Sequence, residues 1–261
     1  MSGFRIHIVD NHGKTSSFFV KDYDSFVIND DQVEIAVEGV ILNKKKLLQN
    51  SGFSDFTDFF LDLYQKVNVN SIKELDGEFR GYIWDKLGHK LFVFTNPTST
   101  QSVFYTKHDQ QIFIDSSLVR LTKTLKENKI SVTPDIQNIY KLLTFGNMLE
   151  NDTPVENIFK ILDGHFIEVD LNNLAIVEKK YFDLEGIDYY KSSRENAIHD
   201  LDSIFSDNIL MEYEKDNELN SKHFALLSGG LDSRIALLYA NQLGEKPDEA
   251  FCFSQSGYLD E

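Results

Sequence analysis

The stretch LLSGGLDSRIALL, residues 226–238, decides how the C-terminal part of the chain folds. The segment FALL, residues 224–227, is an apolar run typical of a strand buried in a parallel sheet. Ser-Gly-Gly-Leu-Asp-Ser follows, and then an apolar helical run that ends before Gly244, a residue type common after helices. A second apolar strand is predicted at 250–253. The order strand, loop, helix, strand predicts the first crossover of a parallel α/β sheet.

The loop between this strand and this helix has the chemistry of a cradle for an oligophosphate and its metal ion. Ligands of parallel sheets bind at the carboxyl ends of the strands, where the first N–H groups of the next helix carry partial positive charge. Gly229 and Gly230 let the main chain approach an anion closely, and Ser228 and Ser233 add hydroxyl donors. Because Asp232 would repel a bare phosphate, its presence indicates Mg²⁺ at the phosphates.

Other interpretations of the loop are less consistent with its residues. The Walker A pattern GxxxxGK[ST] and the dinucleotide pattern GxGxxG do not occur in the sequence, and the loop holds no lysine. A glycine turn with a Ser or Asp helix cap is the purely structural alternative. Six residues in this order between two apolar segments favour the phosphate cradle. Arg234 could face a phosphate or solvent.

Upstream of residue 189 the sequence predicts many short strands and a few helices. The predicted elements are strands at 4–9, 17–20 and 32–41, hairpins over 78–95 and 165–182, and helices at 55–66, 117–127 and 135–143. A long helix at 193–214 opens the C-terminal part. We therefore predict an α+β domain of layered sheets and helices over residues 1–188, followed over residues 189–261 by the β-α-β unit.

Composition narrows the class of protein. A formal net charge of −16 argues against a nucleic acid or an anionic membrane as the main partner. No apolar run reaches 18 residues, and the N-terminus lacks the basic and apolar regions of a signal peptide, so we expect a cytoplasmic protein. The single cysteine, Cys252, fits a reducing compartment and is expected to be a buried small apolar residue.

Several segments together resemble one family. The loop SGGLDS resembles the pyrophosphate loop of the N-type ATP pyrophosphatases, and residues 75–106 are similar to the central glutaminase segment of asparagine synthetases, with its Leu-x-Gly-x-Phe-Ala and Arg-Asp-x-x-Gly-x-x-Pro motifs. Further similar segments are 38–47 (Asn-Gly-Glu-Ile-Tyr-Asn in the family), 152–170 and 254–261. The resemblance covers nearly the whole chain in order, and its most specific part is the pyrophosphate loop.

The resemblance implies an Ntn-hydrolase-like glutaminase domain followed by the start of an ATP pyrophosphatase domain. The implied activity is ATP-dependent amide formation: a carboxylate of a small molecule or peptide is adenylated, pyrophosphate leaves, and ammonia or an amine attacks. ATP and Mg²⁺ are the implied cofactors, and Asp232 binds the metal through Mg-pyrophosphate. The residues implied to bind ATP and pyrophosphate are Leu227, Ser228, Gly229, Gly230, Asp232, Ser233 and Phe253.

Several glutaminase positions depart from the family. Ser2 stands where the family has its nucleophilic cysteine, so it is the one catalytic candidate of this domain. In Asn-Gly-Glu, Glu38 replaces the Asn that donates to the oxyanion and Val40 replaces the acid that holds the glutamine amine. Thr95-Asn96 replaces Arg-Asp, and the following Gly-x-x-Pro is matched to residues 100–103. We therefore expect that glutamine hydrolysis has been lost.

Two acids remain as alternatives for the last glutamine-binding carboxylate. Asp55 and Asp58 both fit within one residue of register, although ordinary acids of a first helical turn are the simpler interpretation.

The C-terminal part predicts too few strands for a complete parallel sheet. A doubly wound domain needs several strands with helices on both faces, so we expect a truncated chain, or one completed by a second copy or another chain. The alternative to a ligase is a non-catalytic scaffold or interaction protein with a vestigial ATP loop.

Overall fold

A computed structural model describes residues 3–9, 16–20, 24–183, 192–228 and 230–252. The chain divides into two compact units, residues 1–185 and 186–261. The predicted boundary at 188/189 falls within residues 184–191, which lie outside the described part.

The first unit contains two antiparallel sheets and four α-helices among its described residues. Its strands are β1 (Gly3–Val9), β2 (Ser16–Val20), β3 (Phe26–Asn29), β4 (Val33–Ile41), β5 (Gly77–Asp85), β6 (Lys90–Thr95), β7 (Phe104–His108), β8 (Gln111–Asp115), β9 (Phe159–Lys160), β10 (His165–Asp170) and β11 (Ala175–Lys180). Its helices are α1 (Lys44–Ser51), α2 (Phe56–Val67), α3 (Leu118–Glu127) and α4 (Ile136–Phe145), and a 3₁₀ helix spans Asn68–Glu74.

The two sheets pack face to face and carry helices on their outer faces. The strand orders are β2-β1-β8-β7-β9 and β11-β10-β6-β5-β4-β3. Strand β4 shows how the layers form, because Ala36 packs between the sheets while Ile35 and Val37 pack in the core beneath α2. On the other sheet, Ile114 of β8 packs in the core between the two sheets, and Phe113 packs against α3. Both strands are buried on both faces, which requires four layers: helices, sheet, sheet, helix.

Most predicted elements of this unit are confirmed. The hairpins appear as the antiparallel pairs β5–β6 and β10–β11. The helices α2, α3 and α4 begin one residue after their N-caps Asp55, Ser117 and Asp135, each of which accepts a main-chain N–H. The strand β3 was not predicted. It is a four-residue edge strand, and its two buried residues, Phe26 and Ile28, give an apolar–polar alternation too short to identify a strand from the sequence.

The second unit contains the predicted β-α-β arrangement. Its described elements are α5 (Arg194–Glu218), β12 (Phe224–Leu227), α6 (Leu231–Gln242) and β13 (Glu249–Cys252). The strands β12 and β13 pair in parallel. Helix α5 begins directly after its predicted cap Ser193 but continues past residue 214 to Glu218. The backbone of Gly244 is left-handed (φ 87°) just beyond α6.

Two expectations about burial in this unit are wrong. The β12 strand was expected to be buried, yet Phe224 is 52% exposed and Leu226 is 63% exposed. Cys252 is exposed rather than buried. The reason is the same for all three residues: among the described residues only two strands form this sheet, so much of its apolar surface has no covering layer. None of the described helices is both long and apolar enough to span a membrane.

Candidate functional site

The SGGLDS loop joins β12 to α6 as a polar turn held by its own hydroxyl groups. The Ser228 and Ser233 hydroxyl oxygens lie 3.1 Å apart, and the Ser228 N–H donates to Ser233 Oγ at 3.2 Å. The Gly230 N–H donates to Ser228 Oγ at 3.2 Å. Both serines therefore face the start of the helix, at the carboxyl end of the strand, where a bound anion would lie.

The start of α6 suits an anion and its metal ion. Its N-cap residue is Gly230, which has no side chain that could cap the first-turn N–H groups. Asp232 is exposed in the first turn, and Arg234 Nε donates to the Gly230 carbonyl oxygen at 3.0 Å, at the same turn. Uncapped N–H groups, two hydroxyls and one carboxylate fit a magnesium-bound pyrophosphate. The positive metal ion would offset the repulsion between the Asp232 carboxylate and the phosphates.

The other predicted nucleotide residues lie at the same edge or outside the described residues. Leu227 ends β12 beside Cys252, which ends β13, so the two strand ends meet as parallel pairing requires. Gly229 and Phe253 lie outside the described residues, as does Ser2. Within the described ranges no group of three His, Cys, Asp or Glu side chains could hold a metal ion.

In the first unit, the motif Glu38-Gly39-Val40 lies on β4, directly beside β5. Glu38 pairs in register with Arg80 of β5, and Arg80 Nε donates to Glu38 Oε1. Glu38 is 3% exposed. Arg80 also donates through Nη1 to the carbonyl oxygens of Ser102 at 2.8 Å and Ser116 at 2.9 Å. The carboxylate is thus held inside a buried ion pair.

The same network reaches the first described residues of β1. The Phe4 N–H donates to Ser116 Oγ at 2.9 Å, and Arg120 Nη2 donates to that oxygen at 2.7 Å. Asp115 is fully buried and pairs with Arg120 at 2.6 Å and with Arg5 at 3.1 Å. Ser116 therefore connects the start of β1 to Arg120 through its hydroxyl group and to Arg80 through its carbonyl oxygen.

This network was not predicted from the sequence. Arg80 stands where the family motif Leu-x-Gly-x-Phe-Ala has alanine. This substitution is the one sequence feature that could have indicated a changed site. Its meaning depends on the β4–β5 register, which places Arg80 opposite Glu38. Asp115, Ser116 and Arg120 gave no comparable signal.

The loop after β6 corrects one predicted match. The glycine of Arg-Asp-x-x-Gly was matched to Thr100, but the left-handed residue of this loop is Ser99 (φ 49°), a conformation that favours glycine. Counting from Thr95-Asn96 also places that glycine at Ser99, so the earlier match is wrong by one residue. Asn96 closes the loop, since its N–H donates to the Phe79 carbonyl and its side-chain oxygen accepts from Thr100 Oγ1 at 3.1 Å.

Asp55 and Asp58 are ordinary helix acids in the structure. Asp55 caps α2 by accepting the main-chain N–H groups of Thr57 at 2.8 Å and Asp58 at 3.2 Å. The Thr57 hydroxyl and these N–H groups hold the pKa of Asp55 below its ordinary value. Asp58 lies in the first turn of α2. Both positions have a structural explanation.

Comparison with known proteins gives a consistent result for the first unit. Residues 4–182 match the family model described as a glutamine amidotransferase domain. The chain is 24% identical over 241 residues to "Asparagine synthetase [glutamine-hydrolyzing] 2" of Bacillus subtilis (strain 168), covering 88% of this chain and 31% of that protein. It is 26% identical over 224 residues to "Putative asparagine synthetase [glutamine-hydrolyzing] 2" of Methanocaldococcus jannaschii, covering 81% of this chain and 42% of that protein.

Two solved structures are also similar, at lower sequence identity. A glutamine phosphoribosylpyrophosphate amidotransferase from B. subtilis, complexed with ADP and GMP, gives a TM-score of 0.39 at 10% identity, covering 96% of this chain and 59% of that chain. The structure titled as the allosteric regulatory enzyme of purine biosynthesis gives a TM-score of 0.42 at 10% identity, covering 100% of this chain and 62% of that one. The chain spans 31% and 42% of the lengths of the two curated relatives.

Proposed function

The chain belongs to the family of glutamine amidotransferase domains and is related to asparagine synthetases, and from this premise we propose that it is part of an ATP-dependent amide-forming ligase whose amidotransferase domain no longer hydrolyses glutamine. The acceptor is a carboxylate of a small molecule or peptide. Its oxygen attacks the α-phosphorus of ATP, pyrophosphate leaves, and ammonia or an amine then displaces AMP to form the amide.

The observation that supports loss of hydrolysis is the buried Glu38–Arg80 pair. A glutaminase must stabilise negative charge on the oxygen of a tetrahedral intermediate, and neutral or positive donors do this best. Here the position that would donate is a carboxylate, and it is paired with Arg80. Arg80 in turn donates to Glu38 and to two carbonyl oxygens, and this engagement supports the proposal that the pair does not serve a substrate oxyanion.

A glutaminase assay tests this part of the proposal. The purified chain, with Met1 removed, should release no glutamate from glutamine above a heat-treated sample. Glutamate release that Ser2→Ala abolishes would show that the domain still hydrolyses glutamine, and that part of the proposal would be abandoned.

The SGGLDS loop supports the proposed nucleotide chemistry. Ser228, Ser233 and the first N–H groups of α6 would bind the pyrophosphate part of ATP, while Asp232 would orient its magnesium ion. Bound Mg²⁺ would supply charge neutralisation for the leaving pyrophosphate. These protein groups would hold the phosphates in place while the acceptor carboxylate attacks the α-phosphorus.

Calorimetry with MgATP tests the nucleotide site, using both this chain and the complete product of its gene. Asp232→Ala should weaken binding about tenfold or more, because the carboxylate no longer meets the metal. Asp207→Ala is the matched control, since Asp207 is an exposed acid on α5, and it should leave affinity unchanged. Absence of binding in both proteins, or equal binding by Asp232→Ala, would instead support the non-catalytic scaffold.

The second unit also suggests a completing partner. Phe224, Leu226 and Phe251 are exposed on the β12–β13 sheet, and the Phe224 and Phe251 ring centroids are 5.6 Å apart. Apolar sheet faces in parallel α/β domains are covered by helices. We therefore propose that further polypeptide, from the same protein or from a second copy, covers this face and extends the sheet.

A further inference from the structure

Strand β7 lacks a neighbour along part of one edge. Strand β8 pairs with it from Phe104 to His108, whereas β9 pairs only with Phe104 and Tyr105. The Ile161 N–H donates to the Val103 carbonyl oxygen at 3.0 Å, which shows that Val103 points its main-chain groups to the β9 side. Because these groups alternate along a strand, those of Lys107 point to the same side.

The chain turns away from this edge just before β9. Asn157 has a left-handed backbone (φ 60°), and its carbonyl oxygen accepts from Thr106 Oγ1 at 2.6 Å instead of from the main chain of β7. No described residue hydrogen-bonds to the main-chain groups of Lys107 on this side. One N–H and one C=O therefore remain for a partner strand.

A cavity of about 400 Å³ lies beside this edge. Its apolar lining comes from the end of α3, the segment after it and the segment before β9, through Leu125, Ile130, Val132, Val155 and Ile158. The polar side chains contributed by β7 already have protein partners: Thr106 bonds to Asn157, and Lys107 Nζ donates to the Leu174 carbonyl oxygen at 2.7 Å. What the site offers a ligand is thus main-chain pairing and an apolar recess.

The charge around the cavity differs from that of the chain as a whole. The formal net charge of the chain is −16, yet the described cavity lining contains one basic residue, Lys107, and one acid, Glu156. His108, which also lines the cavity, has its Nδ1 atom 3.2 Å from Asp109 Oδ2. Lys126 and Lys129 follow or precede lining residues directly in the sequence. An acidic group on the ligand would therefore be favoured at the mouth of the cavity.

From these observations, we propose that the free edge of β7 binds an extended peptide segment of another polypeptide. The peptide pairs as an added strand beside Lys107, places branched aliphatic side chains in the cavity, and carries an acidic residue next to them. Main-chain pairing supplies orientation, and the cavity supplies selection for the side chain, as in other strand-addition complexes. The site lies within the first unit and does not depend on the proposed ligase chemistry.

Fluorescence anisotropy of the full chain with labelled Glu-Val-Ile-Val-Glu tests the pairing. Saturable binding is expected, and a peptide methylated on alternate amide nitrogens should bind at least tenfold more weakly, because it cannot donate to the strand. Absence of binding, or equal binding by the methylated peptide, would overturn the proposal.

A cavity-filling variant tests the recess. Val132→Trp should weaken peptide binding about tenfold or more, since the indole occupies the space that the aliphatic side chains need. Val119→Trp is the matched control, because Val119 is 77% exposed on α3 and does not line the cavity. Unchanged affinity in Val132→Trp, with the thermal unfolding midpoint of the wild type, would also refute the site.

Discussion

At the scale of single residues, Glu38 and Arg80 form one buried ion pair. The Glu38 side chain is 4% exposed and that of Arg80 is 11% exposed. Removing two charges from water is costly, and the cost is offset only when every donor and acceptor is satisfied. Part of this cost is offset because Arg80 donates to the Ser102 and Ser116 carbonyl oxygens as well as to Glu38. The pair therefore contributes little net stability, but either partner alone would be expensive to bury.

Breaking the pair should destabilise the first unit strongly. Arg80→Met leaves the Glu38 carboxylate buried without this counter-ion, so the free energy of unfolding should fall by about 3–5 kcal/mol in urea denaturation. Lys66→Met is the control, because the Lys66–Asp62 pair is exposed and should contribute about 0.5 kcal/mol or less.

A compensating variant separates charge from packing. Glu38→Leu combined with Arg80→Met removes both charges and should be more stable than Arg80→Met alone. The interpretation fails if Arg80→Met costs no more than Lys66→Met, or if the double variant is no better than the single one.

Only one residue of this ion pair, Glu38, could be identified from the sequence. Glu38 was identified as a departure because it stands within a short motif, whereas Arg80 lies 42 residues away along the chain. Their relation is set by strand register, which depends on packing of both sheets. The position of the SGGLDS loop between strand and helix could be predicted, because its two serines and the glycine cap are neighbours in sequence as well as in space. Its nucleotide binding stays a prediction.

At the scale of elements, local signals predicted helices and hairpins, while the order of strands could not be deduced. The cap residues Asp55 and Ser117 and the turn at Asn172-Asn173 act over a few residues. The neighbours β1 and β8, in contrast, are about a hundred residues apart and meet through a shared core. Sheet order is a property of tertiary packing, so alternation within each strand carries no information about it.

A charge network across three strands gives the first unit a pH-dependent contribution. Glu168 of β10 accepts from Lys90 of β6 at 2.8 Å and from Lys179 of β11. Burial of Glu168 alone would raise its pKa, but the bonds from Lys179 and Lys90 outweigh burial and lower it. A lowered folded-state pKa stabilises the protein above the unfolded pKa and loses that effect as pH falls through the folded value.

Glu168→Gln should therefore lower the free energy of unfolding at pH 7 by about 1 kcal/mol, a modest value because both lysines are almost half exposed. The difference from the wild type should shrink as the pH falls below the ordinary glutamate pKa of 4.5. Urea unfolding at several pH values measures both the loss of stability at pH 7 and its decrease at lower pH. A difference that stayed constant down to the acid limit would contradict the assigned cause.

At the scale of the whole molecule, the two units differ in how well their apolar surface is buried. The first unit has three buried clusters that join two sheets and their helices. In the second, the buried cluster among the described residues consists of Ile209, Tyr213 and Ala240 with partly buried neighbours. A two-stranded sheet with one exposed apolar face is marginally stable.

Hydrogen exchange should report this difference directly. Amides of β12 and β13 should exchange far faster than those of β5, because opening a small unit exposes little additional apolar surface and costs correspondingly little free energy. The β5 amides lie between β4 and β6 in a sheet buried on both faces, so their exchange requires unfolding of the whole first unit. If further polypeptide covers Phe224, Leu226 and Phe251, the complete gene product should show protected β12 amides. Equal protection of β12 and β5 in this chain would mean that the exposed face has no energetic cost, and it would contradict the proposal of a covering partner.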